Sequence, residues 1–219
     1  MNVMIFGATG MVGQGVLREC LLDSQVTQVL TVGRNATGTR APKLRELVHA
    51  NLFDYTGLDH ALSGFDACFF CLGVSSVRMS EPDYAHLTYD LTLAAAGTLA
   101  RLNPQMTFVY VSGAGTDSSE KGRSMWARVK GKTENALLKL PFKAAFMLRP
   151  GVIQPLHGIR SKTRLYQTFY SILGPVLSAI RAIAPKYINT TEHIGRAMIK
   201  VARDGYPKQA LESSDINSL

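Results

Sequence analysis

Three glycines in GATGMVG, residues 7–13, follow directly on the apolar run Val3, Met4, Ile5 and Phe6. That spacing suits phosphate chemistry without any charged side chain. Gly7 permits a tight turn off a strand, Gly10 lets backbone approach a pyrophosphate, and Gly13 lets the following helix pack close. Apolar residues then recur at helical spacing through Val12, Val16, Leu17, Cys20 and Leu21, so a helix N-terminus with free N–H groups would face the anion. The loop reads as a cradle for a dinucleotide. Charge distinguishes its two common forms. A carboxylate about 20 residues beyond such a loop would bind a ribose 2′-hydroxyl and select NAD. Here LTVGRN at 30–35 carries Arg34, and no acid lies between Asp23 and Glu46. A guanidinium stabilises a 2′-phosphate that a carboxylate would repel, so NADP is expected ahead of NAD.

Other chemistries leave no comparable mark. His49, His60, His86, His157 and His193 show no HxH or HExxH spacing, and no metal site is expected. Ser112 follows Tyr110 and Val111 rather than completing a GxSxG elbow. No GKS or GKT follows the glycine loop to make a Walker site. Cys68 and Cys71 form a CxxC inside FDACFFCLG, but residues three apart on a strand point to opposite faces, and both read as buried strand cysteines.

The elements that must position the loop recur as strand-like runs at 2–6, 27–32, 45–50, 66–72, 106–112 and 143–149, with helical stretches between them. Near-continuous apolar runs such as DACFFCL and MTFVYVS suit strands covered on both faces. The right-handed crossover rule then favours an α/β, doubly wound parallel sheet. The longest helix is expected from Glu81 to Leu102, stopped by Pro104, and another from Ser124 to Leu140 ahead of Pro141. After LRPGV at 148–152 the alternation fails. Residues 151–190 are expected to form an irregular lobe over the sheet's carboxyl edge, where open α/β sheets bind ligands. Thr191 to Ala202 reads as a returning helix capped by Thr190 or Thr191, with a short strand at Gln209 to Glu212. Single-domain organisation over residues 1–219 follows from the length and the absence of a linker.

Charge is unevenly placed. No Asp or Glu occurs between Glu134 and Glu192, while Lys139, Lys143, Arg149, Arg160, Lys162, Arg164, Arg181 and Lys186 fall in that interval of a chain whose net charge is +8. Such a field attracts anions. An anionic ligand and a merely solvated basic face both fit; a nucleic-acid partner is not expected, because no binding module accompanies the charge. Apolar residues run at helical intervals in two groups, Leu165 to Leu173 and Val176 to Ile183. Either core and dimer face, or peripheral contact with an anionic membrane and a lipid-like substrate, would account for them. No run approaches the ~20 apolar residues of a membrane span. Three cysteines and no secretory leader lead to the expectation of a cytoplasmic protein, with peripheral membrane contact as an option. The oligomeric state stays open.

With the glycine loop, the six strands, VYVSGAG at 109–115, WARVKGKTE at 126–134 and LRPG at 148–151 in order, nearly the whole chain resembles the short-chain dehydrogenase/reductase superfamily. The likeness is greatest to its atypical, single-domain NAD(P)H-binding branch of epimerase/dehydratase-like and Tat-interacting-protein-like reductases. It implies a Rossmann-type sheet with a small C-terminal substrate lobe. It also implies that Gly7, Thr9, Gly10, Met11, Val12 and Gly13 hold the pyrophosphate, that Asn51 and Leu52 lie at the adenine, and that Leu72 and Gly73 close over the adenosine side. Pro150 and Gly151 in LRPG would complete the cofactor site. Family enzymes pair a serine after the fifth strand with tyrosine and lysine spaced YxxxK. Ser112 and Lys130 match, Lys130 also reaching the nicotinamide ribose, but Trp126 stands where the tyrosine belongs. An indole N–H does not titrate in the working range and cannot be the general acid. Three outcomes follow: another donor (Tyr84, Tyr89, Tyr166, Tyr170 or Lys130 itself) serves an unusual oxidoreductase acting on a small or lipid-like carbonyl; the protein binds NADPH as a redox sensor or partner-binding module; or water supplies the proton.

Overall fold

Along Asn2–Phe6 (β1), Val3 and Ile5 enter one buried cluster while Met4 and Phe6 enter another. Alternation on a strand covered on both faces requires this. The computed structural model describes residues 1–159 and 188–219. Within them β1 is joined by β2 (Gln28–Gly33), β3 (Leu44–Val48), β4 (Ala67–Phe70), β5 (Thr107–Val111), β6 (Ala144–Arg149), a short parallel pair β7 (Val152–Gln154) and β8 (Ile188–Thr190), and β9 (Ala210–Glu212). The main sheet runs β3-β2-β1-β4-β5-β6-β9 with every pairing parallel. Strand order reverses between β1 and β4. A crevice therefore opens at their carboxyl ends, the place where doubly wound sheets bind ligands.

Helices cover both faces. The helix α1 (Met11–Leu22) packs through Val16, Leu17 and Cys20 on the Val3 side, together with Ile194, Ala197, Met198 and Val201 of the returning helix Thr191–Asp204. On the Met4 side lie α2 (Asp59–Leu62), α3 (Glu81–Ala85), α4 (Leu91–Leu102) and α5 (Met125–Leu137), with Leu62, Ala95, Ala96, Leu99 and Leu137 in the core. The returning helix is α6, and α7 (Ser213–Asn217) closes the described chain. Thr190 is the N-cap of α6: its side chain accepts from the His193 N–H at 2.9 Å. Cys68 is buried in the Met4 cluster and Cys71 packs against the Val3 cluster, on opposite faces.

Two expectations change. The single helix predicted over 81–102 is broken by a π-helical turn, His86–Asp90, between α3 and α4. Its apolar spacing continues across the turn, so periodicity does not betray it. Thr92 Oγ1 donates to Thr88 O, a side-chain claim on a helix carbonyl of the kind that bends helices. The lobe expected to be irregular from 151 is bounded by regular structure, since β7 and β8 pair in register from Val152↔Ile188 to Gln154↔Thr190. Three-residue strands carry too little alternation to be seen in a sequence. The apolar groups from Leu165 to Ile183, the cations Arg160, Lys162, Arg164, Arg181 and Lys186, and Tyr166 and Tyr170 lie outside the described residues. No helix among those described is long and apolar enough to cross a membrane.

Helix α5 approaches the loop after β5 so closely that a Cβ on Gly131 would stand 1.8 Å from Asp117 O, whereas one on Gly97 of α4 would meet nothing within 4 Å. Gly131→Ala is expected to destabilise by about 2 kcal/mol or more, because backbone must move. Gly97→Ala should stabilise by about 0.5–1 kcal/mol through helix propensity. Paired urea unfolding curves would check both.

Candidate active site

At the end of β1, Gly7 takes φ +78°, and a Cβ there would lie 2.8 Å from both Cys71 C and Leu72 N at the end of β4. Only glycine fits that backbone crossing. Gly10 N–H donates to Gly7 O at 2.9 Å, closing the turn. Gly13 lies below the cradle rather than on it: its Cβ would reach 2.1 Å from Gly7 O. Helix α1 starts at an N-cap glycine, Gly10, with no side-chain cap and no acid in its first turn. Its first N–H groups are thus directed to the crevice with a partial positive charge.

The crevice is a cleft of about 490 Å³. Gly7, Thr9, Gly10, Met11 and Val12 form its floor, Arg34 lies on its β2 side, and Leu52, Leu72 and Gly73 also line it. So do Ser112 and Lys130. Residues far apart in sequence, from the ends of β1, β2, β4 and β5 and from α5, therefore share one cavity. Asn51, Pro150, Gly151 and Trp126 are not among its lining residues. Asn51 Oδ1 accepts from Phe53 N–H at 3.1 Å, Pro150 O accepts from Ala114 N–H at 2.9 Å, and Gly151 N–H donates to Ser213 Oγ at 2.6 Å. These three shape neighbouring loops. The Trp126 ring rests on the turn after β5, 3.6 Å from where a Cβ on Gly115 would be.

Sequence reading missed several lining residues, among them Thr31, Thr37, Val74 and Ile153. It also missed a carboxylate brought close by register. Glu46 pairs across from Thr31 and accepts from Thr37 N–H at 2.6 Å and Thr31 Oγ1 at 3.3 Å. Its oxygen thereby anchors the loop that carries Arg34, which is itself exposed.

Ser112 and Lys130 have defined partners. Ser112 Oγ lies 3.0 Å from Thr116 Oγ1, which donates to Gly113 O at 2.8 Å. Thr116 has one proton, so Ser112 is the donor in their contact, and its hydroxyl proton must turn from Thr116 to reach an acceptor in the cleft. Lys130 Nζ donates to Tyr110 Oη at 3.2 Å and Val111 O at 3.3 Å. Burial pulls its pKa below the ordinary lysine value, and Tyr84 and Glu134 oppose that shift. Burial in turn raises the phenols Tyr84 and Tyr110. Tyr89 meets a different lysine, Lys132, whose Nζ lies 4.5 Å from its ring centroid. No group of His, Cys, Asp and Glu among the described residues could hold a metal ion.

A family model, NAD dependent epimerase/dehydratase family, matches residues 3–123. The chain belongs to that family. It lies in an atypical, NAD(P)-binding branch of the short-chain dehydrogenases and reductases. It is 26% identical over 202 residues, 91% of this chain and 85% of the other, to Protein fmp52-2, mitochondrial, of Aspergillus oryzae. It is 28% identical over 155 residues, 69% of this chain and 62% of the other, to Protein HTATIP2 of Rattus norvegicus. Among solved structures, a short-chain dehydrogenase/reductase family oxidoreductase from Burkholderia thailandensis matches with TM-score 0.71 at 15% identity, covering 99% of this chain and 92% of that one. The Bordetella bronchiseptica enzyme WbmF in complex with NAD+ matches with TM-score 0.66 at 14% identity, covering 99% and 76%. At such identities the likeness is one of fold, and it is the Rossmann-type α/β fold. The expectation of a cytoplasmic protein is overturned: relatives from Aspergillus oryzae, Scheffersomyces stipitis and Emericella nidulans are all named mitochondrial. Reduced cysteines report a reducing environment, not an address.

The strand that ends at LRPG is tied down by charge. Arg149 is 13% exposed and bonds the buried Glu134 with both Nε and an Nη, Glu212 with the other, and Ser118 Oγ at 2.6 Å. Arg149→Met is expected to cost about 3–5 kcal/mol, since it strands the Glu134 carboxylate. Glu134→Gln with Arg149→Met should recover part of that loss in thermal or urea unfolding.

Proposed function

We propose that this chain is an NADP(H)-binding oxidoreductase that reduces a small or lipid-like carbonyl compound, with Trp126 in place of the customary tyrosine. The observation that carries the reading is that one cleft collects the glycine loop, Arg34, Ser112 and Lys130. The cradle suits a diphosphate, because a Cβ would fill the space at Gly7 and the uncapped start of α1 supplies N–H donors. Gly7, Thr9, Gly10, Met11 and Val12 would hold the diphosphate, Arg34 the 2′-phosphate, and Leu52, Leu72 and Gly73 the adenosine side, with Lys130 at the nicotinamide end. Gly13 lets α1 pack close beneath them. Asn51, Pro150 and Gly151 would act through the loops they shape.

NADP is favoured over NAD because Arg34 stands at the cleft with no acid among its lining residues. Apart from Ser112 and Lys130, the wall formed by Cys71, Leu72, Val74, Val111 and Ile153 is apolar or weakly polar, which supports an uncharged carbonyl substrate. When bound, the reduced dinucleotide would supply a hydride. The chain would supply orientation and the proton, with the Ser112 hydroxyl turned to the substrate oxygen. A second reading, a sensor that binds NADPH without turnover, is favoured by Trp126 itself, which lies on the Gly113–Gly115 turn and offers no titrating proton.

Fluorescence titration with NADPH and NADH, followed by oxidation assays on aldehydes, ketones and quinones, tests both. Binding with turnover is expected. Binding without turnover on any carbonyl selects the sensor, and no binding of either dinucleotide overturns the proposal. Arg34→Glu should weaken NADPH at least ~10-fold while sparing NADH. Trp126→Tyr should raise reductase turnover by about 10-fold or more, read as NADPH consumption.

A further inference from the structure

With an indole at position 126, the phenol nearest Lys130 comes from a different element. Tyr110 and Ser112 are two residues apart at the end of β5, so their side chains leave the same face of the sheet. Tyr110 is 1% exposed, and it does not line the cleft. Its hydroxyl meets Lys130 Nζ at 3.2 Å, and the same nitrogen donates to Val111 O at 3.3 Å. An ammonium has three N–H bonds. Two are committed to the wall of the site, and Lys130 lines the cleft together with Ser112, so one N–H is left for a ligand.

We propose that Lys130 is the proton donor to the substrate oxygen and that Tyr110 is the positioning residue that aims its ammonium. This rests on the reductase reading above. The carbonyl carbon gains a hydride from the reduced dinucleotide, which becomes oxidised. The C=O π pair moves to oxygen, and oxygen takes a proton from Lys130 Nζ. The neutral amine is then reprotonated by water from the open cleft. Desolvation already biases Lys130 toward giving up that proton. The groups that face it and favour its charge are Tyr84 from α3 and Glu134 on α5, with Tyr110 from β5 as hydrogen-bond acceptor. The neighbouring π turn contributes the uncharged Thr88 and a Tyr89 ring engaged by Lys132.

Lys130→Arg keeps the positive charge but holds its proton throughout the working range. It is expected to bind NADPH and to lose turnover by about 100-fold or more. Turnover like that of the parent would overturn the inference. Tyr110→Phe keeps the ring and deletes the acceptor. The alkaline limb of kcat/KM, and the midpoint for acylation of Lys130 followed by mass spectrometry on the dinucleotide-free protein, should then both move down by about one pH unit. Either midpoint staying in place would overturn Tyr110 as the positioning residue. A parent that binds NADPH and reduces no carbonyl would sink the inference along with the reductase reading, whereas an active Lys130→Arg variant would remove the inference alone.

Discussion

Three backbone segments cross at Gly7 more closely than any side chain allows. The turn after β1, the start of α1 and the end of β4 converge there, with forbidden Cβ positions at Gly7 and Gly13. That crowding holds the α1 N-terminus against the carboxyl edge of the sheet, where the strand order reverses. The cleft is the space left over by this contact. Its floor is bare backbone at Gly7 because no side chain fits there, and backbone N–H groups are the donors that a diphosphate requires.

The opposite wall works on another principle. Lys130 and Glu134 stand one turn apart on α5, and each ionic group is held by several polar partners rather than by a lone counter-ion. Arg149 bridges Glu134 to Glu212 and Ser118, joining α5, β6, β9 and the loop after β5. In such a setting a charge is costly to bury and costlier still to leave unpaired. The wall that carries Ser112 and Lys130 is thereby rigid from behind while its front stays open to solvent. Rigid backing of this kind is what orientation of a reacting group demands.

Much of this was legible in the residues. The parallel strands announce themselves because chains buried on both faces need nearly continuous apolar runs, and Gly7, Arg34, Ser112 and Lys130 stood out because their types are chemically particular. What escaped reading depends on register. Tyr110 looks like one more core residue of β5 until Lys130 is seen against its hydroxyl. Glu46 lies 12 positions after Arg34 in the chain, yet parallel pairing sets it opposite Thr31 and onto the Arg34 loop. The π turn hides because Thr88 and Thr92 do not disturb the apolar spacing. Asn51, Pro150 and Gly151 were named from motif position, and their polar groups turn to neighbouring backbone and side chains instead of the cavity.

The small pair β7 and β8 has an architectural meaning of its own. Because Val152–Gln154 and Ile188–Thr190 run side by side, two stretches of chain more than 30 positions apart are fastened to each other outside the seven-stranded sheet. The entropy of joining two such anchors grows only slowly with the length of chain between them. The pair is therefore a fixed gate in the backbone, whose spacing a longer or shorter connection would have to respect.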